Sequence, residues 1–335
     1  MSLLAVSPKN TLKAYSGGLA LSALIAALSK LLSIQFGLPV MLVCLISGLV
    51  LGRFFTQGFW QSGINFTSKT VLRLGVILIG ARFVFSDLNA LGIQTIALII
   101  AATIGVIILS ILASKKLKLD KSLGLIMGGA TAICGASAAM AIAALLPHDK
   151  HTEKNTAAAV LSVTAIGTLA MITYPFIISA LHLTDQQAAI LIGGTIHDVA
   201  QVVGAGYSLS HEIGDQAVLI KLIRVFMLVP VLLGLAVYIH YSHSRSASQS
   251  DPKPQFKFPL FLIGFVALLA INGLGYIPPA TTDALKQISH FMLIMAITAV
   301  GLKTPIKAIR SLGWKPLCLV GLNSFALIVI YALYI

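Results

Sequence analysis

Long apolar segments follow one another along almost the whole chain, and they limit it to folds that a lipid bilayer can hold. A transmembrane helix needs about 20 mostly apolar residues. Charged residues make up only 10% of the 335 residues, against about 25% in soluble proteins, so much of the surface must face lipid. We therefore predict an all-α polytopic membrane protein with about 10–11 transmembrane helices. The apolar segments lie at about 14–34, 38–55, 69–85, 91–113, 121–147, 155–182, 187–208, 216–241, 258–277, 285–302 and 314–334.

The basic residues set the expected orientation. The formal net charge is +13, but the basic residues lie beside apolar segments, as topology signals do, so we expect no nucleic-acid partner. A cytoplasmic N-terminus places most of them inside, including the cluster at 115–121, and leaves few outside. The sequence therefore predicts a multi-pass inner-membrane protein with its N-terminus in the cytoplasm. The basic residues left outside are mainly Lys150, Lys154 and Lys286.

An internal repeat points to a class of membrane protein. Residues 1–335 are predicted to form a single integral membrane domain that contains one polar linker, residues 241–257. Residues 74–92 align without gaps on residues 295–313. Since an odd number of crossings separates the two copies, they must be inverted relative to each other. Inverted repeats are typical of secondary transporters.

Two glycine-rich segments, 123–146 and 190–206, predict interrupted helices. Each carries a Gly-Gly pair shortly before a threonine, Thr131 or Thr195, and adjacent glycines weaken a helix. We predict breaks near these pairs, with each threonine capping the second half-helix. The two half-helix N-termini would then make an anion-friendly site. Two alternatives remain open: the glycines could only allow close helix packing, or both segments could be re-entrant hairpins in a nine-span protein. The glycine pairs are Gly128-Gly129 and Gly193-Gly194.

Asp198 is the only one of the ten acidic residues near the centre of an apolar segment. An intramembrane carboxylate costs at least about 2.5–3.5 kcal/mol and so indicates a function. His197 lies beside it, and histidine titrates near neutrality. We predict that the pair couples transport to protons or ions. The alternative is that Asp198 only completes a capping box with Thr195.

Lys221 and Arg224 are the other costly pair. They lie three residues apart and share a helix face, so we predict that they balance the charge of a bound anion. The alternative is that both side chains extend to the membrane interface. Arg82 and Lys303, by contrast, are expected to end their helices.

Other kinds of site have little support. Cys44, Cys134 and Cys318 lie in apolar stretches without metal-like spacing, and we expect them to be packing residues. No nucleotide-binding loop, zinc-protease motif or nucleophile elbow is present. We therefore expect no enzymatic activity, no metal and no cofactor.

Three stretches carry a resemblance to a known family. GGATAICGASAAMAIAALLP at 128–147, GGTIHDVAQVVGAG at 193–206 and IKLIRVFMLVPVLL at 220–233 resemble the YeiH-type family of bacterial membrane proteins, which are labelled sulfate exporters. The family is grouped with the cation/proton antiporter and bile-acid symporter superfamily, so the resemblance implies inverted repeats and two crossed, interrupted helices. This chain departs from the pattern at Gly204, where alanine is common, and at Asp198, where glutamate is expected.

Together these features predict a secondary active transporter of a small anion. The resemblance implies export of sulfate or a related sulfur oxyanion or sulfonate by alternating access, with coupling to protons or ions. A cation-coupled organic-acid importer and an anion channel are the alternatives. The expected partners are the anion, the lipid bilayer and a second copy in a homodimer. The predicted coupling residues are His197 and Asp198, and the predicted substrate-binding residues are Gly129, Thr131, Cys134, Gly135, Ser137, Gly194, Thr195, Gln201, Lys221 and Arg224.

Overall fold

A computed structural model describes residues 8–55, 58–84, 86–87, 91–146, 149–243, 260–304 and 313–335. All regular secondary structure within these ranges is helical, which confirms the predicted all-α class. Among the described residues, seven helical spans are long and apolar enough to cross a membrane, and four shorter apolar helices accompany them. The protein is therefore a polytopic membrane protein.

The helices follow the predicted segments, with several of those segments divided. The spans 59–82 and 211–238 each consist of consecutive helical pieces. The α-helices, in chain order, are α1 (Pro8–Phe36), α2 (Val40–Phe55), α3 (Phe59–Phe66), α4 (Leu72–Ile79), α5 (Gly92–Lys116), α6 (Lys121–Gly129), α7 (Ala136–Ala143), α8 (Lys150–Ala180), α9 (Asp185–Thr195), α10 (Val199–Leu209), α11 (His211–Phe226), α12 (Leu228–His243), α13 (Leu260–Gly273), α14 (Pro279–Lys303) and α15 (Trp314–Ala332). A π-helical turn (Thr67–Val71) joins α3 to α4, a 3₁₀ turn (Gly80–Arg82) follows α4, and a second π-helical turn (Ala130–Cys134) follows α6.

Polar caps begin several helices. Asp149 caps α8 by accepting a 2.7 Å hydrogen bond from the backbone N–H of Thr152, which also holds the pKa of that carboxyl below its ordinary value. Thr184 and Gln187 form a capping box at α9, in which two backbone N–H groups are satisfied by side chains. Local sequence therefore fixes where these helices start.

Contacts group the described residues into two compact units. Unit 1 comprises residues 1–90, 203–210 and 260–305, and unit 2 comprises residues 91–202, 211–259 and 306–335. The single domain inferred from the sequence stays a prediction. The predicted linker, 241–257, lies outside the described residues apart from its first three, which continue α12.

Glycines let helix backbones approach closely in unit 1. A Cβ atom at Gly63 would lie 2.6 Å from the Cα atom of Gly18, and one at Gly301 would lie 3.0 Å from the Cα atom of Gly48. Side chains do not fit at such distances. Small residues at helix contacts are the usual means of packing in membranes, and here they join α1 to α3 and α2 to α14.

Helices α4 and α14, in which the two copies of the predicted repeat begin, run in opposite directions in unit 1. The Ser289 hydroxyl donates to the carbonyl of Gly75 (2.8 Å), and the Arg82 guanidinium donates to the carbonyl of Lys286 (3.5 Å). Contacts therefore move back along α14 as the chain advances along α4, so these helices are antiparallel. That direction is what the inverted repeat requires. Superposition of the two copies stays a prediction, since residues 305–312 lie outside the described ones.

Candidate functional site

The first interrupted helix breaks at Gly135. Helix α6 continues through Gly128 and Gly129 into the π-helical turn, where the N–H of Gly135 donates to the carbonyl of Ala130 (2.8 Å). Gly135 has φ 63° and ψ −128°, a conformation that only glycine adopts readily. The predicted break near residues 128–131 was therefore placed too early, because the wider π turn carries the helix past the glycine pair.

The glycine pair of this segment serves packing instead. A Cβ atom at Gly129 would collide with the Cδ1 atom of Ile142 in α7. In a straight helix residues 13 positions apart are about 20 Å apart, so the chain must fold back on itself at Gly135. The α6–α7 segment is a helical hairpin, as the re-entrant alternative requires of it, and its topology in the membrane stays a prediction.

The second interrupted helix breaks after Thr195, as predicted. Helix α9 ends there, Ile196 is extended with φ −67° and ψ 143°, and α10 begins at Val199. The two glycines before the break lie inside α9. A Cβ atom at Gly193 would lie 2.5 Å from the carbonyl oxygen of Ala217 in α11, so this pair too allows close packing.

The two threonines do not cap the second half-helices, so that prediction was wrong. Thr131 donates its hydroxyl to the carbonyl of Met127 (2.8 Å), and Thr195 donates to that of Leu191 (2.6 Å). Each threonine precedes its break, so a carbonyl of its own helix lies within reach. The hydroxyl of Tyr174 in α8 also lies 3.0 Å from the Thr195 hydroxyl.

Asp198 caps the start of α10. Its Oδ1 atom accepts from the N–H of Ala200 (2.9 Å), and the Oε1 atom of Gln201 accepts from the N–H of Asp198 (3.3 Å). The pair Asp198 and Gln201 thus forms the capping arrangement, rather than Thr195 and Asp198. The amide of Gln201 is fixed in turn by the carbonyl of Thr164 (3.2 Å) and the hydroxyl of Thr168 (3.3 Å), both in α8.

The two breaks lie against each other within unit 2. A Cβ atom built on Gly135 would be 3.6 Å from both the Cβ and the Oδ2 atoms of Asp198. Helices α7 and α10 therefore begin side by side, and the positive ends of both helix dipoles meet there. Near the start of α7, the hydroxyl of the exposed Ser137 lies 3.0 Å from both the carbonyl oxygen and the sulfur of buried Cys134.

Arg224 is fully engaged with backbone carbonyls. Its guanidinium donates to Thr131 (2.9 Å), Ala132 (2.8 and 3.0 Å), Gly193 (3.0 Å) and Ile196 (3.1 Å). These five hydrogen bonds match the five N–H groups of an arginine. The first two residues precede the Gly135 break and the others precede or form the second break. Arg224 therefore caps the carbonyl ends of both interrupted helices.

Lys221 does the same with fewer donors. Its ammonium donates to the carbonyls of Ile133 (2.6 Å) and Ile196 (2.8 Å). Lys221 is 0% and Arg224 1% exposed, so the alternative in which both extend to the membrane interface is wrong. The sequence placed both cations beside the breaks, but their carbonyl partners were not foreseen.

His197 is buried at the second break, with 1% exposure. Its Nδ1 atom lies 3.1 Å from the carbonyl of Thr195, and its Nε2 atom lies 2.9 Å from the hydroxyl of Ser324 in α15. Ser324 was not among the predicted site residues. A polar Asn323-Ser324 pair in an otherwise apolar span was the signal that could have identified it.

Tyr331 is the other residue that the sequence did not predict. Its ring lies against Gly194, where a Cβ atom would be 2.5 Å from the Cδ1 atom of Tyr331. Its hydroxyl is buried, and within the described part of the chain it has no hydrogen-bond partner.

All twelve predicted site residues lie in unit 2. Cys44 is buried like Cys134, but Cys318 is exposed, so the packing role predicted for it was wrong.

The chain is similar to a group of bacterial membrane proteins. A family model described as conserved hypothetical protein 698 matches residues 17–320. A UPF0324 membrane protein of Chlorobaculum tepidum is 41% identical over 304 residues, 90% of this chain and 84% of that protein. The UPF0324 membrane protein TauZ of Paracoccus denitrificans is 42% identical over 316 residues, 94% of this chain and 93% of that protein. No solved structure matches the chain.

Proposed function

The chain belongs to the conserved hypothetical protein 698 family of UPF0324 membrane proteins, and from this premise we propose that it is a secondary active transporter of a small anion. The substrate is sulfate or a related sulfur oxyanion or sulfonate, and it binds where α7 and α10 begin. The protein resides in the bacterial inner membrane with a cytoplasmic N-terminus and works by alternating access as an exporter. His197 and Asp198 couple transport to protons.

One observation carries this proposal: the carbonyl ends of both interrupted helices are capped by cations, while their N–H ends meet at Gly135 and Asp198. A helix terminus carries about half an elementary charge, positive at the N-terminus and negative at the C-terminus. Lys221 and Arg224 offset the negative ends with hydrogen bonds of 2.6–3.1 Å. The field at the starts of α7 and α10 therefore remains positive.

The charges around the two breaks support an anion rather than a cation. Lys221 and Arg224 contribute two positive charges and Asp198 contributes one negative charge, while a neutral His197 contributes none. The four helix ends cancel in pairs. One net positive charge is left beside the buried Lys221 and Arg224, where an uncompensated charge is expensive. An anion relieves that imbalance, and the N–H groups of a helix start are suitable donors for oxyanions.

Ligand-dependent stability tests the substrate class. A ligand that binds the folded protein raises its free energy of unfolding by about 2.7 kcal/mol at a concentration of 100 times Kd, and so raises its melting temperature. Purified protein should therefore melt at higher temperature with sulfate, sulfite, thiosulfate or taurine, and chloride at equal ionic strength is the control. A shift by organic dicarboxylates alone would replace the proposal with an organic-acid transporter. Single-molecule currents from the protein in a planar bilayer would instead indicate a channel.

Replacement of Asp198 by asparagine tests the coupling. Asparagine is as good a helix cap as aspartate, so Asp198→Asn removes the negative charge and keeps the start of α10. We expect the pH-dependent part of sulfate transport to be lost, with unchanged folding and membrane insertion. The measurement is sulfate flux in proteoliposomes over a series of pH values. Asp185→Asn, at the exposed start of α9, is the matched control. An unchanged pH profile in Asp198→Asn would show that Asp198 only caps α10 and does not couple transport to protons.

A further inference from the structure

The hydroxyl of Ser324 lies within hydrogen-bond distance of two polar atoms and has only one proton. Its oxygen lies 2.6 Å from the carbonyl of Val320 and 2.9 Å from the Nε2 atom of His197. A serine hydroxyl donates one hydrogen bond. The O–H group can therefore point to the Val320 carbonyl or to the imidazole, but it cannot donate to both at once.

The opposite side of the His197 ring fixes which nitrogen carries the first proton. The Nδ1 atom lies 3.1 Å from the carbonyl of Thr195, and a carbonyl oxygen only accepts. Nδ1 must therefore carry a hydrogen. In the neutral ring Nε2 then has a lone pair and accepts from Ser324. In the imidazolium Nε2–H donates to Ser324, whose own proton turns to Val320.

We infer that His197 binds the coupled proton on Nε2, and that Ser324 is the positioning residue whose hydroxyl turns from the imidazole to Val320 when the proton arrives. The inference rests on the proposed function and adds the proton-binding atom. The proton comes from the aqueous phase and adds to the Nε2 lone pair, so the ring gains one positive charge and no other bond is broken. Both orientations keep every polar atom of the His197–Ser324 pair hydrogen-bonded.

The surrounding charges link this proton to the anion. Lys221 and Arg224 in α11 disfavour a third positive charge on His197, and Asp198 favours it. An anion at the starts of α7 and α10 compensates the added charge, so anion binding and proton binding strengthen each other by the same factor. In the described part of the chain, the other titratable groups around the second break are Cys134 from the first break, Tyr174 from α8 and Tyr331 from α15.

Nitrogen NMR of ¹⁵N-histidine-labelled protein tests the inference directly. The chain has eight histidines, and the His197 signals are those lost in His197→Gln. We expect a neutral ring with its proton on Nδ1 in the anion-free protein, and protonation at higher pH when sulfate is saturating. A neutral ring with its proton on Nε2 would overturn the inference. So would a ring that stays neutral with saturating sulfate at every pH at which the protein is folded.

Ser324→Ala separates the positioning role from simple packing. The substitution removes the acceptor for the charged ring and the donor for the neutral ring, and hydrogen bonds to charged groups are about twice as strong. We expect the proton affinity of His197 to fall about tenfold, and Ser324→Thr to restore it. Thr173→Val, which removes a hydroxyl bonded only to the carbonyl of Leu169, should leave the titration unchanged. An unchanged titration in Ser324→Ala would overturn the role of Ser324.

Calorimetry keeps this inference separate from the proposed function. Sulfate binding to the wild type should take up about one proton per anion at the pH where the ring titrates, and binding to His197→Gln should take up none. Equal proton uptake in both proteins would overturn the inference and leave anion binding intact. If no tested anion binds, the proposed function fails, while the Ser324→Ala titration, which needs no anion, still decides on the proton switch.

Discussion

Arg224→Met should abolish the folded protein at ordinary growth temperature. Methionine is an apolar side chain that lacks all five N–H donors of arginine. The buried carbonyls of Thr131, Ala132 and Gly193 therefore lose the hydrogen bonds that Arg224 donates to them. Each buried polar group left unsatisfied costs about 1–3 kcal/mol. Since a whole domain is stable by only about 5–15 kcal/mol, a loss of this size removes most of the folded fraction. Monodisperse yield in detergent and the melting temperature are the measurements.

Two further variants make the Arg224 result specific. Arg224→Lys keeps the charge but offers three donors in place of five, so it should recover part of the melting temperature. Arg53→Gln removes an exposed arginine at the end of α2 and should melt within about 2 °C of the wild type, because surface substitutions change stability little. If Arg224→Met melts like the wild type, capping of the carbonyl ends does not hold the breaks together.

Gly135→Ala should weaken anion binding at least tenfold while most of the protein remains folded. At φ 63° and ψ −128° a side chain strains the backbone by about 1–3 kcal/mol. The nearest atoms to the added Cβ lie at 3.6 Å, so space is available and the strain is in the backbone alone. The chain can relieve it only by turning the start of α7 away from Asp198. Binding of a ligand at that start should weaken at least tenfold by isothermal titration.

Gly105→Ala is the matched control for the Gly135 variant. Gly105 lies within the exposed face of α5, and a Cβ atom there meets nothing within 4 Å. Alanine in a helix is favoured over glycine by about 1 kcal/mol, so this variant should be as stable as the wild type or slightly more so, with unchanged affinity. Equal affinities for Gly135→Ala and wild type would show that the start of α7 is not the anion site.

Much of the fold is readable from the sequence because membrane spans obey length and polarity. The apolar segments and the positions of Asp198 and Arg224 follow from rules about twenty-residue runs and costly buried charges. The break after Thr195 follows in the same way. Here local composition and the final structure agree.

The exact position of the first break was not readable because it depends on tertiary contacts. Gly128 and Gly129 look like a helix breaker, yet both stay helical. Neighbouring residues pack into the space that a Cβ atom at either position would fill. The break falls on Gly135, whose dihedral angles no composition rule reports. The carbonyl partners of Arg224 and the contact of His197 with Ser324 span 28–127 residues of sequence. Pairings of that range follow from the fold alone.

The carbonyl caps also impose an order on biosynthesis. Ile133 and Lys221 are 88 residues apart, and Thr131 and Arg224 are 93 apart. At about 5–20 residues per second, the ribosome needs roughly 5–20 seconds to add the residues that satisfy the α6–α7 tip. Until α11 leaves the translocon, this tip has unpaired carbonyls that hydrocarbon does not tolerate. The hairpin must therefore wait at the membrane surface or within the insertion machinery, and it reaches its final depth only as α11 arrives.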